Sequence, residues 1–182
     1  SPKIAEDTPT EQVKAIINDV VCSFIDLQAG SNGTLASTLN LTKKKILPYI
    51  DLEYSTEMAL GTYWSVLDSK QKKIFERDIK NSLINEYVGI LSDLAIWEDI
   101  TISVNEDFSQ NENLARVKVS ISLTEENASA SVVLKLIRKN RWKIYDLEYQ
   151  SISIVDIEKI GYDSKIKRQG IETLIQKMLK KS

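Results

Sequence analysis

The strongest constraint on the fold is a change in hydrophobic period in the second half of the chain. Apolar and polar residues alternate there in four short runs, and a period of two is typical of strands with one buried face. The alternating apolar positions are Ile100, Ile102 and Val104; Val117, Val119, Ile121 and Leu123; Ala130, Val132, Leu134 and Leu136; and those of the run from Trp142 to Tyr149. The polar links at 106–113, 125–127 and 138–141 suit antiparallel connections, the last of them a tight hairpin.

The segment before these runs has a helical pattern. Thr8, Pro9 and Glu11 form a capping-box start, and apolar residues then recur at helical spacing, which predicts a helix over about 9–28. A second capping box at 68–71 opens a long amphipathic helix that we expect to run to about residue 94.

Two short helices are predicted between those long ones. The first begins near Asn40 or Thr42 and ends near Pro48. The second is capped by Asp51 and ends at Gly61.

The order of these elements predicts a single α+β domain over residues 1–182. Helical residues 9–94 precede a sheet at 97–149, and two more helices fill 154–181, divided at Gly170. We therefore expect a curved four-stranded antiparallel sheet, a meander, covered on one face by the N- and C-terminal helices.

Composition excludes several kinds of site. The chain has no histidine, which rules out Ser-His-Asp and Cys-His catalysis and any metal site built on imidazole. It also lacks a GxGxxG, Walker A, CxxC or EF-hand pattern. The net charge of −2 argues against general nucleic-acid binding and against stable attachment to an anionic membrane. Cys22 is the only cysteine and, from its place in an apolar helical pattern, is predicted to be a small buried core residue.

The beginning of the chain bears on where the protein works. No apolar run approaches the ~18–20 residues that span a bilayer. The opening residues SPKIAEDTPT lack the apolar centre of a signal peptide. For an exported protein, we expect this sequence to be the mature form.

Two blocks of motifs carry a resemblance to a known family. The first is LPYIDLEYSTEMALGTYW at residues 47–64, followed by a polar turn with Gln71 and Lys72 and by Phe75, Leu83 and Tyr87 at helical steps. The second is WKIYDL at 142–147, then Ile152 to Val155, and finally RQGI at 168–171. Their order and spacing resemble the MlaC family, the toluene-tolerance phospholipid-binding proteins of the Gram-negative periplasm.

The chain departs from the family pattern at two places. Gln150-Ser151 stands where the family has Glu-Gly, and DIEKI at 156–160 replaces an N-Y-R-like stretch. These differences bear on the pocket mouth and on partner contacts made there, and they leave the predicted fold intact.

The resemblance implies a function and an architecture. It implies an NTF2-like, cone-shaped lipid-binding fold in a periplasmic protein that carries phospholipid as cargo, with no cofactor and no covalent chemistry. Its partners would be an outer-membrane lipoprotein–porin complex and an inner-membrane ABC transporter complex, and its role would be to maintain outer-membrane lipid asymmetry. We expect a monomer without stable membrane insertion.

A lipid carrier of this kind needs a deep apolar pocket, near the upper end of the usual ~300–1,000 Å³. Apolar residues of the predicted strands and helices are the candidates to line it, although the same pattern also fits a filled core. The candidates are Val117, Val119, Ile121, Val132, Leu134, Leu136, Trp142 and Ile144 from strands, and Leu60, Trp64, Phe75, Ile79, Leu83 and Tyr87 from helices. Tyr49, Tyr63 and Tyr145 are candidates for the headgroup or pocket rim, or for ordinary amphipathic packing.

Two other functions remain open at this point. Asp146 shares strand parity with Trp142 and Ile144, so an inward carboxylate could act as the base of a small-molecule enzyme, or could be structural. A protein-binding adaptor with a solid core is the third possibility. The basic run at 43–45 and the C-terminal lysines fit either a contact with a phosphate or an acidic partner, or a solvated helix face.

Overall fold

The chain folds into a group of helices, an antiparallel sheet and a final pair of helices. The computed structural model describes residues 8–30, 35–93, 100–109, 111–123 and 129–181. Within these ranges the α-helices are α1 (Pro9–Ala29), α2 (Leu35–Lys45), α3 (Leu52–Leu60), α4 (Ser69–Asp93), α5 (Ile154–Gln169) and α6 (Ile171–Lys180), with 3-10 helices at Leu47–Tyr49 and Gly61–Val66. The strands are β1 (Ile100–Ser109), β2 (Leu114–Leu123), β3 (Ser129–Arg138), β4 (Trp142–Tyr149) and β5 (Ile152–Ser153).

The sheet confirms the predicted α+β meander and adds one strand. Its strands follow one another in the order β1-β2-β3-β4-β5, and every neighbouring pair is antiparallel. The four alternating runs of the sequence are the first four strands. The fifth was not predicted because two residues are too few to show a period.

The predicted helix starts are confirmed by their hydrogen bonds. In the first capping box, the Glu11 backbone N–H donates to Thr8 Oγ1 at 3.1 Å. In the second, the Gln71 N–H donates to Asp68 Oδ1 at 2.8 Å, and the Asp68 N–H donates back to the Gln71 side chain at 3.0 Å. Asp51 caps α3 by accepting the Tyr54 N–H at 2.9 Å.

The predicted start of the second helix is wrong. α2 begins at Leu35 and ends at Lys45, so Asn40 and Thr42 lie inside it. Pro48 belongs to the separate 3-10 helix that follows, where a proline near the N-terminus costs no hydrogen bond. A polar residue inside a helix and one that caps a helix look alike in sequence.

The predicted burial of Cys22 is also wrong. The thiol is exposed and points toward Asn18 Oδ1 at 3.7 Å. The buried face of α1 carries Val13, Ile16 and Val20. Cys22 follows Val20 by two positions, which is more than half a helical turn, so it lies on the other side.

The apolar interior consists of two clusters of buried side chains. The helical cluster draws on α3, α4, α5 and α6 and the segments between them: Ile50, Ala59, Leu60, Leu67, Phe75, Ile79, Leu83, Tyr87, Ile154, Val155, Tyr162, Ile166, Leu174, Ile175 and Met178. The sheet cluster joins α1 to one face of the sheet: Val13, Ile16, Val20, Ala115, Val117, Val119, Ile121, Val132, Leu134, Leu136, Trp142 and Ile144. Ile46 and Leu147 pack against both clusters and mark their junction.

The stretch around Ile50 attaches the helical cluster to the sheet. Ile50 forms a parallel bridge with Ile144 of β4, and the Asp51 N–H donates to the Ile144 carbonyl at 2.9 Å. One turn later, the buried Ser55 hydroxyl donates to the Tyr145 carbonyl at 2.6 Å. These contacts to the backbone of β4 fix the start of α3 against that strand.

The turn between β4 and β5 is strained. Gln150 and Ser151 have φ of 51° and 64°, and they link the paired residues Tyr149 and Ile152. A two-residue hairpin with two positive φ values favours Asn-Gly or Gly-Gly. Non-glycine residues in this region cost on the order of 1–3 kcal/mol each.

Replacing Ser151 by glycine is therefore expected to raise the free energy of unfolding by about 1 kcal/mol, because glycine relieves the strain at positive φ. Urea denaturation measures the change. The matched control is Ser164→Gly, at an exposed position of α5, where the same substitution is expected to destabilise by about 0.5 kcal/mol. Equal effects of the two substitutions would contradict the assignment of strain to the turn.

Glu158 faces an acidic environment between α5 and α4. Burial and the negative charges of Asp78 and Glu86 raise its pKa, and a hydrogen bond from Ser82 together with Lys165 offsets only part of this. Asp78 itself accepts the Tyr162 hydroxyl at 2.7 Å. A raised folded-state pKa stabilises the fold below the unfolded pKa, and that stabilisation is lost as the pH rises through the folded value.

We expect Glu158→Gln to stabilise the protein at neutral pH and to have little effect near pH 4, because Gln resembles the protonated carboxyl. The advantage of the variant should grow as the pH rises from about 4.5 and then level off. Thermal unfolding between pH 4 and pH 8 measures it. The exposed Glu112→Gln, in the β1–β2 turn, serves as the control and should show no such trend.

Candidate ligand-binding cavity

A cavity of about 140 Å³ lies between α1 and the face of the sheet that packs against it. We call this face the inner face. Except for Tyr87, the lining residues are all isoleucine, valine or leucine: Ile16, Ile17, Val20, Val21, Ile46, Ile50, Tyr87, Ile102, Val119, Ile121, Val132, Leu134, Ile144 and Leu147. The wall is therefore suited to a hydrocarbon.

Local periodicity explains why these side chains converge. On α1, the lining residues stand at positions i, i+1, i+4 and i+5, which form one helical stripe. On the strands, alternate residues point to the inner face, and cross-strand pairs such as Val119 with Val132 lie side by side. The cavity is the space that the stripe and the sheet leave between them.

Six of the predicted lining residues border this cavity. They are Tyr87, Val119, Ile121, Val132, Leu134 and Ile144. Five belong to strands, as alternation implied, and Tyr87 is the one that comes from α4. Their contact with a ligand stays a prediction.

The remaining strand candidates lie on the inner face without bordering the cavity. Val117, Leu136 and Trp142 are buried in the sheet cluster, where the first two are fully covered. They fill the space beside the cavity with packed side chains.

The remaining helical candidates lie elsewhere. Leu60, Phe75, Ile79 and Leu83 are buried in the helical cluster, which packs on itself. Trp64 is half-buried at the edge of that cluster, with the Lys72 ammonium 4.5 Å from its ring centroid. In the structure, α1 and not this cluster supplies most of the helical side chains that face the strands across the cavity.

Sequence reasoning missed the lining residues of α1 and the junction. The helical stripe of α1 was visible, but nothing in the sequence said which helix covers the sheet. Ile46 and Ile50 were missed because they flank a 3-10 helix too short to show a period. Ile102 was seen as a strand residue and was not assigned to the pocket.

A bulge in β4 explains why Leu147 was missed. Ile144 pairs with Leu136, whereas Asp146 pairs with Lys135, so Tyr145 is an extra residue on β4. The bulge reverses the alternation beyond it. Leu147 therefore points to the inner face, and Asp146 does not share parity with Trp142 and Ile144, contrary to the prediction.

Asp146 is buried and fully hydrogen-bonded on the other face of the sheet. Its Oδ1 accepts the N–H groups of Leu147 at 2.8 Å and Val155 at 3.1 Å. Its Oδ2 accepts the Ser153 hydroxyl at 2.5 Å and lies 3.1 Å from Lys135 Nζ. A carboxylate has about four acceptor sites, and these contacts fill them. The geometry fits a structural role, in which Asp146 holds β3, β4 and the start of α5 together. It leaves no free lone pair for a general base.

Glu148 and Arg116 extend this network of ion pairs across the sheet. Lys135 Nζ also lies 3.1 Å from Glu148 Oε1, and Arg116 lies 2.9 Å from Glu148 Oε2. Burial lowers the pKa of Lys135, but hydrogen bonds and charge attraction from Asp146 and Glu148 outweigh it, so the pKa is raised overall. Lys135 therefore stays charged at neutral pH.

The three tyrosines predicted at the pocket rim lie in different places. Tyr49 precedes the lining residue Ile50 and donates its hydroxyl to Asp19 Oδ2 at 3.2 Å. Tyr63 donates to Asp163 on α5, and Tyr145 packs edge-on against Tyr54 at 4.8 Å. Tyr49 packs against the sheet cluster, whereas Tyr63 packs against the helical cluster.

A polar contact at Tyr49 also holds α1. Lys45 Nζ of α2 lies 3.3 Å from Asp19 Oδ1, so Asp19 connects α1 to α2 and to the following 3-10 helix. Lys43 and Lys44 are exposed, which fits a solvated helix face. Burial, the hydrogen bond to Asp19 and its negative charge raise the pKa of Tyr49, so its hydroxyl stays protonated at neutral pH.

No helix in the described ranges combines the length and hydrophobicity needed to cross a bilayer.

Comparisons with known proteins identify the family of this chain as MlaC. The family model described as "MlaC protein" matches residues 14–180. A curated relative, the intermembrane phospholipid transport system binding protein MlaC of Haemophilus influenzae, is 25% identical over 143 residues, covering 76% of this chain and 65% of the relative. The match thus spans slightly under two thirds of that relative's length.

A solved structure is similar in fold. It is the phospholipid-binding protein from Ralstonia solanacearum in complex with a phospholipid, with a TM-score of 0.75 and 22% sequence identity, covering 97% of this chain and 96% of that one. The likeness extends over almost the whole chain and supports the observed architecture.

Asp146→Asn is expected to destabilise the fold by about 3–5 kcal/mol, because it removes the buried one of the two carboxylates that pair with Lys135 and places an NH₂ group against donors. Urea denaturation measures this. Asp163→Asn is the control: Asp163 pairs with Lys167 on the surface, so this substitution should cost much less stability. An Asp146 variant as stable as the control would overturn the structural role.

Proposed function

Because the chain belongs to the MlaC family, we propose that it is a phospholipid carrier that holds its cargo in the cavity between α1 and the sheet. The observation that carries this proposal is the aliphatic wall of that cavity, in which Tyr87 alone of the described lining residues has a polar side-chain group. An adaptor with a solid core would have no use for such a space. The proposed role is binding and transport without a covalent step.

The physical requirement on a carrier is moderate affinity. Two acyl chains contain on the order of 30 methylenes, and exposing them to water costs roughly 24 kcal/mol at ~0.8 kcal/mol each. A membrane already removes that cost. The carrier therefore needs a wall about as apolar as the membrane interior, and the isoleucine, valine and leucine side chains supply one.

The size of the cavity requires a change of shape. A pocket near the upper end of ~300–1,000 Å³ was expected, and the cavity measures about 140 Å³. Two acyl chains do not fit without widening it. We propose that α1 moves away from the sheet, because the helical cluster is packed on itself and anchored to β4.

The contacts that hold α1 are compatible with this motion. Its described polar links to the neighbouring helices run from Asp19 to Lys45 and Tyr49, at 3.3 and 3.2 Å. Side chains of Asp19 and Lys45 are 37% and 33% exposed, so this ion pair contributes about 1 kcal/mol or less. The apolar stripe of α1 would exchange contact with the sheet for contact with acyl chains.

The place of action follows from the same proposal. The Haemophilus influenzae relative is named as part of an intermembrane phospholipid transport system. We infer a periplasmic carrier that exchanges lipid with an outer-membrane lipoprotein–porin complex and an inner-membrane ABC transporter complex. Native mass spectrometry of the protein purified from bacteria tests the first step, since a co-purified species of phospholipid mass is expected.

Val132→Phe is expected to reduce phospholipid uptake from vesicles by about tenfold or more, because a ring at this position fills the cavity that the chains must enter. Val133→Phe is the matched control, as the next residue points to the opposite face of β3. Uptake of a labelled phospholipid measures both, with circular dichroism to show that each variant is folded. Equal uptake by the two variants would place the lipid elsewhere, and no uptake by the wild type would refute the carrier.

A further inference from the structure

The hydroxyl of Tyr87 is a buried polar group for which the described residues supply no partner. The residue is 5% exposed, its ring lines the cavity, and its hydroxyl makes no hydrogen bond within the described part of the chain. Buried polar groups are hydrogen-bonded in the great majority of cases, and an unpaired one calls for an explanation. The other cavity-lining side chains are aliphatic and offer nothing to pair with.

The surroundings decide which kind of group this hydroxyl can bind. Burial and the negative charge of Asp146 raise the pKa of Tyr87, so the hydroxyl stays protonated and acts as a donor. The acceptor sites of Asp146 are already filled by Ser153, Lys135 and two backbone N–H groups. Tyr87 therefore has a proton to donate and no acceptor among the residues that the structure describes.

The charge of Asp146 also selects among the acceptors that a lipid carries. A phosphate brought close to Tyr87 would lose its hydration against the aliphatic wall and would also feel the negative charge of Asp146 from the other face of the sheet, and both effects disfavour a second negative charge. A neutral carbonyl oxygen has no such penalty. In a phospholipid, the neutral carbonyls are those of the two acyl esters.

We propose that the Tyr87 hydroxyl donates a hydrogen bond to an acyl-ester carbonyl of the bound lipid and so makes the cavity selective for ester-linked lipids. This rests on the proposed carrier function. Widening of the cavity uncovers the hydroxyl to the ligand, and the ester then satisfies a group that is unpaired in the closed protein. Tyr87 would thus supply the polar contact, while the aliphatic lining residues contact only the hydrocarbon of the lipid.

The experiment compares two lipids that differ only in the carbonyl. The full chain, stripped of lipid, is offered vesicles of diester phosphatidylglycerol or of its diether analogue with the same chains and headgroup, and the equilibrium uptake of each is measured. The wild type is expected to prefer the diester by about 5- to 10-fold, the net value of one neutral hydrogen bond. Tyr87→Phe is expected to take up both lipids alike, at the level of the diether in the wild type.

Two controls separate recognition from folding. In the structure, where α1 lies on the sheet, the hydroxyl of Tyr87 has no partner among the described residues. Tyr87→Phe should therefore be as stable as the wild type or more stable. Tyr162→Phe removes a hydroxyl that donates to Asp78 at 2.7 Å in the helical cluster, so it should lose stability and keep the diester preference. The ratio of the two lipids is measured within each variant and does not depend on the folded fraction.

The remaining outcomes are distinct. If the wild type and Tyr87→Phe show the same diester preference, or neither shows one, the role of Tyr87 is refuted and the carrier proposal stands. If the wild type takes up neither lipid, both proposals are refuted.

Discussion

The buried carboxylate of Asp146 connects the sheet to the last helices, and the placement of the other elements depends on this connection. It binds the backbone of β4 at Leu147, the start of α5 at Val155 and the hydroxyl of Ser153, which itself caps α5. The ion pair with Lys135 adds β3. One buried charge therefore sets where the sheet ends and the last helices begin, and a buried charge is stable only when it is paired and hydrogen-bonded in this way.

The segment of β4 around Asp146 also positions the cavity. The bulge at Tyr145 turns Asp146 to one face of β4 and Leu147 to the other, so that Leu147 and Ile144 both line the cavity. β4 is also the strand to which Ile50 and Asp51 attach. The helical cluster and the cavity are thus placed relative to each other by a single strand. In the proposed carrier, this attachment would keep the helical cluster in place on β4 while α1 moves away from the sheet.

Much of the fold could be predicted from the sequence because it depends on local patterns. Alternation predicted the four long strands. Thr8, Asp51 and Asp68 were recognisable as helix caps because each has a short polar side chain that accepts the backbone N–H three residues later. The site was predicted less well, because it depends on which elements meet. Leu60 and Phe75 have the same amphipathic signal as Ile16 and Val20, yet the first two pack among helices and the last two face the sheet. The bulge at Tyr145 is a tertiary feature, and without it the parity of Asp146 was misread.

A cavity smaller than its cargo has a thermodynamic consequence for the proposed carrier. If the pocket stayed open without lipid, release would expose the whole aliphatic wall to water at about 25 cal/mol per Å². When α1 lies on the sheet, residues such as Val20 and Val119 are buried in the same cluster, and most of that cost is recovered. The free-energy difference between loaded and unloaded protein then reflects mainly the lipid, whose chains are equally satisfied in a membrane. Closure of α1 thus brings binding and release close to balance, and the direction of transfer can be set by the partner that supplies or removes the lipid.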